Sequence, residues 1–485
     1  MKTILLIILF LNLTVISAFS GGVKNEIKKI SSLKGLENAQ WGLSVKYADT
    51  GKDLISLNEN KNLIPASILK IFITAAALEY FGPDYRFKTQ LYYRGKINKG
   101  TLKGNIWLTG GGDSSLGSHR VMGALSFNKV FAKWTRALKK LGIKRITGPI
   151  YIDDSLFSGI SIPSSWAWED IGNYYAAWPS ALSINDNIYK LYFKSAPKEG
   201  AKAKVIKTVP TMAKLRFTNF MKTGPKGSGD HAYIFNMPKN YRAVLRGTIP
   251  LGPKEFSIKG AIPDPALFCG EHLKRYLRAR GIRVTGKVIR VSPIKKYPSQ
   301  KLLTEIKSPP LKNIVFTTNK KSFNLYAEML LRHLAVINGR NGNLEAGLYT
   351  LKKFLTENGI DTSEMKLRDA CGLSRLNTVK AKNFTNFLAG IYNKKYFDDF
   401  YNSLVSPGEN GATGHIKRFA LGTFLEKNIR IKSGSLNGVR AYSGYFRTKK
   451  NRLVAFTSIM NNYSIKASEI DGLHQNLLLK IAEEY

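Results

Sequence analysis

Pro65-Ala66-Ser67-Ile68-Leu69-Lys70 leads into Ile71-Phe72-Ile73 and Ala75-Ala76-Ala77-Leu78. So apolar a run predicts a buried helix over 68–80, stopped by Phe81-Gly82-Pro83. At positions i and i+3, Ser67 and Lys70 share one face of that helix. A lysine amine held among apolar side chains loses hydration, which lowers its pKa and lets it take the serine proton. The N–H groups at the helix N-terminus point where an oxyanion can form. Spacing alone does not single out Ser67, because Ser-x-x-Lys recurs at Ser31, Ser126, Ser195, Ser292 and Ser363. The apolar continuation does.

Two further short motifs complete a chemical set. Ser322-Phe323-Asn324 lies between the polar Thr317-Thr318-Asn319-Lys320-Lys321 and a helix starting near Leu325. Residues two apart on a helix face different ways, so Ser322 and Asn324 share a cleft only if a turn intervenes. There the Ser322 hydroxyl can relay a proton and the Asn324 amide can hold a substrate peptide group. Ser-x-Asn also occurs at Ser56, Ser126, Ser183 and Ser435, with Ser183-Ile184-Asn185 the closest competitor. Lys432-Ser433-Gly434-Ser435 continues the strand-like Ile429-Arg430-Ile431. Its lysine suits a carboxylate, its glycine allows close backbone approach, and the Ser435 N–H can complete an oxyanion hole. Lys222-Thr223-Gly224 repeats the pattern ahead of Ser322, in a lysine-rich stretch, and is read as chance. Nucleophile, base, polar bridge and carboxylate-binding cation equip a chain for acyl transfer through a serine ester, without histidine and without a cofactor.

In order and spacing these motifs resemble the DacB-type penicillin-binding proteins, D-alanyl-D-alanine carboxypeptidase/endopeptidases of low molecular mass. Further landmarks are Gly110-Gly111-Gly112-Asp113, Asp153-Asp154-Ser155-Leu156-Phe157, Ile262-Pro263-Asp264-Pro265-Ala266-Leu267-Phe268 and Asn319 through Glu328. Ser67 and Ser322 stand 255 residues apart, and Ser322 and Lys432 stand 110 apart, which is the family's pattern of a long gap then a shorter one. Ser183 would give 116 and 249, the reverse. The resemblance implies an α+β fold with a serine transpeptidase/β-lactamase-like domain, an antiparallel sheet flanked by helices and built from both chain ends. Two β-rich domains are inserted after the Ser67 helix. The expected divisions are 21–90 with 300–485 for the catalytic domain, 91–190 with 258–299 for the first insert, and 191–257 for a second, nested β module.

By the same resemblance, Ser67 attacks the penultimate D-Ala carbonyl of a peptidoglycan stem peptide and Lys70 activates it. Ser322 and Lys432 complete the proton path. Asn324, Lys432, Ser433, Gly434 and Ser435 hold substrate, water hydrolyses the acyl-enzyme, and β-lactams acylate Ser67. Trp168-Glu169-Asp170 with Tyr174-Tyr175 resembles the segment that meets the amine end of the stem's diamino acid, so Asp170 and Tyr175 are expected substrate contacts. Asp369-Ala370-Cys371-Gly372-Leu373-Ser374-Arg375 resembles the family's Asp-Gly-Ser-Gly-Leu-Ser-Arg, with Arg375 suited to a carboxylate. Ala370-Cys371 departs from that pattern, as does Ser433 where threonine is common. A thiol at 371 suggests an oxidation-sensitive site.

The 485 residues, 44% hydrophobic, suffice for a sizeable core. Lys2, the apolar run Ile4–Ile16 and the small residues Ser17-Ala18-Phe19-Ser20-Gly21 read as a cleavable leader, so the chain is expected to be exported to the periplasm and to begin near Gly21. Cys269 and Cys371 are expected to be free thiols, and six histidines without ligand spacing give no reason to expect a metal. A net charge of +42 suits an anionic wall or membrane surface; no nucleic-acid motif accompanies it. A β-lactamase and a non-catalytic wall-binding scaffold remain the competing readings.

Overall fold

The computed structural model describes residues 21–252, 254–291, 300–340, 342–409 and 414–485. The expected leader lies outside them. Five antiparallel strands form the central sheet, in the order Ile429–Leu436, Val439–Arg447, Leu453–Asn461, Gln40–Tyr47, Asp53–Leu57. The two chain ends therefore meet in its middle, where Trp41 lies opposite Met460 and Val45 opposite Phe456. A turn at 49–52 closes the first hairpin, with Gly51 N–H donating to the Tyr47 carbonyl at 2.9 Å.

Both faces of this sheet are covered, so its inner strands are buried almost throughout even where the sequence alternates, as it does in Gln40–Tyr47. Tyr442, Phe446, Val454, Phe456 and Met460 pack on one side with Val23, Ile27, Leu477 and Ile481 of the terminal helices Gly21–Ser31 and Ala467–Glu484. Ala441, Tyr445, Ala455 and Ile459 face the opposite layer, which holds the helices Lys70–Phe81, Asn324–Ile337 and Ala381–Gly390. The first of these is buried all round, every residue from Lys70 to Leu78 being inaccessible.

A second sheet of seven strands and the helices Phe127–Lys140 and Pro265–Ala279 share a separate core. Its strands Thr101–Thr109 and Ile150–Asp153 run parallel, whereas Lys88–Asn98 pairs antiparallel with both Thr101–Thr109 and Lys301–Lys307. The boundaries expected at 90/91 and 299/300 cut across this sheet, because Lys88–Asn98 and Lys301–Lys307 are neighbouring strands in it. We place the crossings before Lys88 and after Lys307. Beyond it lie two smaller sheets. One joins Ile188–Lys194, Lys204–Val209 and Phe256–Ala261; the other joins Arg216–Asn219, Lys222–Gly224, His231–Phe235 and Arg242–Pro250. Cys269 is buried in the insert core and Cys371 in the catalytic core, both as free thiols.

No described helix is long and apolar enough to cross a membrane. The C-terminal helix is a core element, with Ile470, Leu477, Leu478 and Ile481 buried. Leu477→Ala should therefore lower the stability of the catalytic domain by about 2–5 kcal/mol, whereas Lys480→Ala on the exposed side should change it by less than about 0.5 kcal/mol. Denaturant unfolding of the two variants beside the wild type measures the difference.

Candidate active site

Ser67 sits in a single 3-10 turn, Ala66–Leu69, that runs straight into the helix Lys70–Phe81. In a 3-10 turn the side chains at i and i+3 eclipse, so Ser67 and Lys70 face each other more directly than an α-helix would allow. Ala66 enters the turn at φ +48°, a left-handed conformation unusual for alanine. The Lys70 amine is wholly buried and lies 2.8 Å from Ser67 Oγ, 2.7 Å from Asn324 Oδ1 and 2.6 Å from the Cys371 carbonyl oxygen. Burial pulls its pKa below the ordinary lysine value, opposed in part by Cys371, Asp369 and Glu328.

The turn that the Ser-x-Asn motif requires is present. The helix Leu311–Lys320 ends with Ser322 at φ +52°, and Phe323 N–H donates back to the Thr318 carbonyl at 3.1 Å, a left-handed helix stop. Asn324 then begins the helix Asn324–Ile337. The Asn324 amide thus faces Lys70, on the helix that follows Ser67, with its oxygen and the Tyr175 carbonyl with its nitrogen, which donates there at 2.8 Å. The insert braces this motif again through Arg120, whose guanidinium lies 5.0 Å from the Phe323 ring centre and pairs with Asp186. The Tyr326 hydroxyl donates to that same Asp186 at 2.7 Å.

Lys432 lies on the outermost strand of the central sheet. Its buried amine donates to Ser322 Oγ at 2.9 Å and to the Ser433 carbonyl at 2.7 Å. Burial, reinforced by the nearby Lys70, pulls its pKa well below the ordinary value. Along the outer edge, Ile431 exchanges both backbone hydrogen bonds with Val405, at 3.0 and 2.8 Å. Backbone groups two and four residues farther along the strand face the same edge, so the N–H groups of Ser433 and Ser435 point outward into the cleft. Gly434 presses on the backbone at Ser67: a Cβ there would sit 2.6 Å from the Pro65 carbonyl and 2.9 Å from Ser67 N.

A strap, residues 369–375, closes the other side. Gly372, at φ +82°, lies so near that a Cβ would fall 1.9 Å from the Ala66 carbonyl. Asp369 ties the strap together, accepting from Gly372 N–H, Ser374 N–H, Asn377 Nδ2 and, from the insert, Trp166 Nε1. Glu328 Oε1 accepts from Ala370 and Cys371 N–H at 2.8 and 2.9 Å. The atom of Cys371 that bonds Lys70 is its carbonyl oxygen. Its thiol is buried, and burial with Asp369 and Glu328 nearby raises its pKa well above the ordinary value. That corrects the expectation of an oxidation-sensitive thiol, since the reactive thiolate is disfavoured.

Asp170 and Tyr175 meet in a hydrogen bond, and burial raises both of their pKa values. Arg375 acts electrostatically on Asp170 and donates to the Asn437 carbonyl at 3.0 Å. The expected groups thus gather around Ser67: it meets Lys70, which bonds Asn324; Gly434 presses on its backbone; Lys432 holds Ser322, two residues from Asn324; and the Tyr175 carbonyl, with Asp170 and Arg375 beside that residue, meets Asn324. The competitors do not: Ser183 is buried and donates to the Ser180 carbonyl, while Thr223 accepts from Ala196 N–H within the nested module. Sequence reasoning missed the carbonyls of Cys371 and Tyr175, which residue identity does not reveal, and the clamp formed by Glu328. The latter had a readable signal: Glu328 follows Asn324 by four residues on an apolar helix, hence on the same face. Glu328, Asp369 and Cys371 bring donor atoms within 4.8 Å of one another, but both Asp369 oxygens and Glu328 Oε1 are already taken up by N–H donors.

The D-Ala-D-Ala carboxypeptidase 3 (S13) family matches residues 23–477. A D-alanyl-D-alanine carboxypeptidase DacB of Haemophilus influenzae is 26% identical over 431 residues, covering 88% of this chain and 86% of that one. A D-alanyl-D-alanine carboxypeptidase of Actinomadura sp. is 27% identical over 451 residues, covering 91% and 81%. Among solved structures, penicillin-binding protein 4 (dacB) of Haemophilus influenzae superposes with a TM-score of 0.80 at 25% identity, covering 95% of this chain and 99% of that one. With the family matched over nearly the whole described chain, and the fold agreeing, this protein belongs to the D-Ala-D-Ala carboxypeptidase 3 (S13) family.

Proposed function

We propose that this chain is a serine DD-peptidase that hydrolyses D-Ala-D-Ala termini and D-Ala-linked cross-links of peptidoglycan through an acyl-enzyme on Ser67, and that β-lactams acylate the same residue. The observation that carries this reading is the buried Lys70 amine, 2.8 Å from Ser67 Oγ and otherwise bound to two neutral oxygens. A neutral amine gives its two N–H bonds to Asn324 Oδ1 and the Cys371 carbonyl, because neither oxygen can donate. Its lone pair is then left for the Ser67 hydroxyl proton. Ser67 Oγ attacks the carbonyl carbon of the penultimate D-Ala, and the oxyanion lies between the N–H groups of Ser67 and Ser435. Lys70 returns the proton to the leaving amine by way of the Ser322 hydroxyl, which Lys432 holds at 2.9 Å. Water then attacks the ester and Ser67 is regenerated.

Lys432 also meets the terminal carboxylate of the substrate, whose negative charge restores the ammonium that burial disfavours. Ser433, Gly434 and Ser435 offer the substrate backbone an open strand edge. At the far end, Asp170 with Tyr175 is suited to an ammonium and Arg375 to a carboxylate. The chain acts in the periplasm, and its net charge of +42 favours association with anionic wall or membrane surfaces.

Ser67→Ala should abolish covalent labelling by a fluorescent penicillin and lower D-Ala release and dimer splitting by at least ~10³-fold, as read by mass spectrometry of purified muropeptides. A label that turns over rapidly on the wild type would instead mark a β-lactamase. The acylation rate should rise with pH as Lys70 loses its proton. Because burial lowers that pKa, the rise should be complete well below the ordinary lysine value of 10.5; stopped-flow β-lactam acylation across pH measures it. Asp170→Asn should raise KM about tenfold for stem peptides with a free side-chain amine, equal to losing about 1.4 kcal/mol. The same variant should leave KM for the N-acetylated peptide within about twofold.

A further inference from the structure

Glu328 is fully buried one helical turn beyond Asn324, and the catalytic scheme above assigns it no step. Its Oε1 accepts two consecutive strap N–H groups, those of Ala370 and Cys371, at 2.8 and 2.9 Å. The carbonyl of that same Cys371 meets Lys70 Nζ at 2.6 Å and Ser67 Oγ at 3.4 Å. The helix that supplies Asn324 Oδ1 to the lysine thus also fixes, through Glu328, the lysine's second acceptor.

We propose that Glu328 is a positioning residue for acylation: its carboxyl clamps the Ala370–Cys371 backbone so that the Cys371 carbonyl and Asn324 together direct the Lys70 lone pair at Ser67. This rests on the reading of Lys70 as the base and adds a residue to it. Groups from every neighbouring element face the clamp. Lys70 lies on its own helix, Asp369 and the Cys371 thiol on the strap, and Arg332 one turn along the Glu328 helix, itself influenced by Glu345. Burial and the Asp369 charge raise the Glu328 pKa to about 7, while Arg332 and the strap donors oppose the rise. Glu328 Oε2 has no hydrogen-bond partner among the described residues. One carboxyl oxygen thus does the clamping, and it can accept N–H bonds whether or not the other carries a proton. The clamp depends on an acceptor at that point and not on a negative charge there.

That distinction sets the test. Glu328→Gln keeps an oxygen acceptor, and Glu328→Leu keeps comparable bulk without one. Each is titrated with a fluorescent penicillin to count reactive sites, and the β-lactam binding constant and acylation rate per titrated site are then measured by stopped flow. The expected result is a Gln variant within about threefold of wild type. The Leu variant should acylate about 10- to 100-fold more slowly per site, with its initial binding constant little changed, because a small misplacement of reacting groups costs on that order. The proposal is overturned if Leu acylates within threefold of wild type. It is equally overturned if Gln, at an unchanged melting temperature, loses tenfold or more; that arm decides alone should the Leu variant fail to fold. Absence of acylation in the wild type itself would instead overturn the assignment of Ser67 and Lys70.

Discussion

An amine buried without a directly bonded carboxylate is the constraint on which the rest of this structure depends. Placing an ammonium in a protein interior costs several kcal/mol unless it is paired. Pairing Lys70 with an acid would remove that cost and also fix its proton, which would disable it as a base. The chain avoids both outcomes. The hydrogen-bond partners of Lys70 are three uncharged oxygens, of Ser67, Asn324 and Cys371. The acids that come nearest, Glu328 and Asp369, are held one layer away and are occupied by N–H groups of the strap. Their fields partly offset the desolvation of Lys70 without capturing its proton.

The fold serves this arrangement by bringing distant stretches of chain onto a single short turn. The backbone around Ser67 is pressed from the sheet edge by Gly434 and from the strap by Gly372, each where a side chain would collide with it. Asn62–Leu63, just ahead of the nucleophile, pairs with Val379–Lys380, just past the strap, so those two segments are registered by backbone hydrogen bonds. The insert then contributes from the other side, through the Tyr175 carbonyl to Asn324 and Trp166 Nε1 to Asp369. The groups around Ser67 are therefore aligned by converging backbones, which the side chains of Asn324, Glu328 and Asp369 tie together.

This explains what could and could not be read in the sequence. The Lys70 helix was legible because nothing but burial accounts for Ile71 through Leu78, and burial of a lysine is itself a chemical statement. Ser322 was separable from Ser183 by its resemblance to the family's spacing, and the need for a turn followed from the geometry of residues two apart, although its left-handed form did not. The Ser435 N–H was named from its motif alone; that it and the Ser433 N–H face the outer edge depends on which strand lies there and on the bridge to Val405, which no local pattern shows. Parallel pairing in the insert, and the return of Lys301–Lys307 beside Lys88–Asn98, were likewise hidden: partner choice over two hundred residues leaves no local periodicity. Carbonyl groups leave no trace at all, which is why the Cys371 and Tyr175 contacts emerge only from the coordinates.

The departure at 370–371 becomes intelligible in the same terms. A strap that acts through its carbonyl and N–H groups asks of the side chain at 371 mainly that it fit a buried place beside Glu328. The Cys371 side chain fits by burial within the catalytic core, away from water. A small apolar Ala370 is equally acceptable there, because its N–H is the group that Glu328 holds. What the strap cannot change is Gly372, at φ +82° against the Ala66 carbonyl, or Asp369, which gathers four donors. Those two positions keep the family pattern and the two between them do not, as expected of a segment whose backbone carries the chemistry.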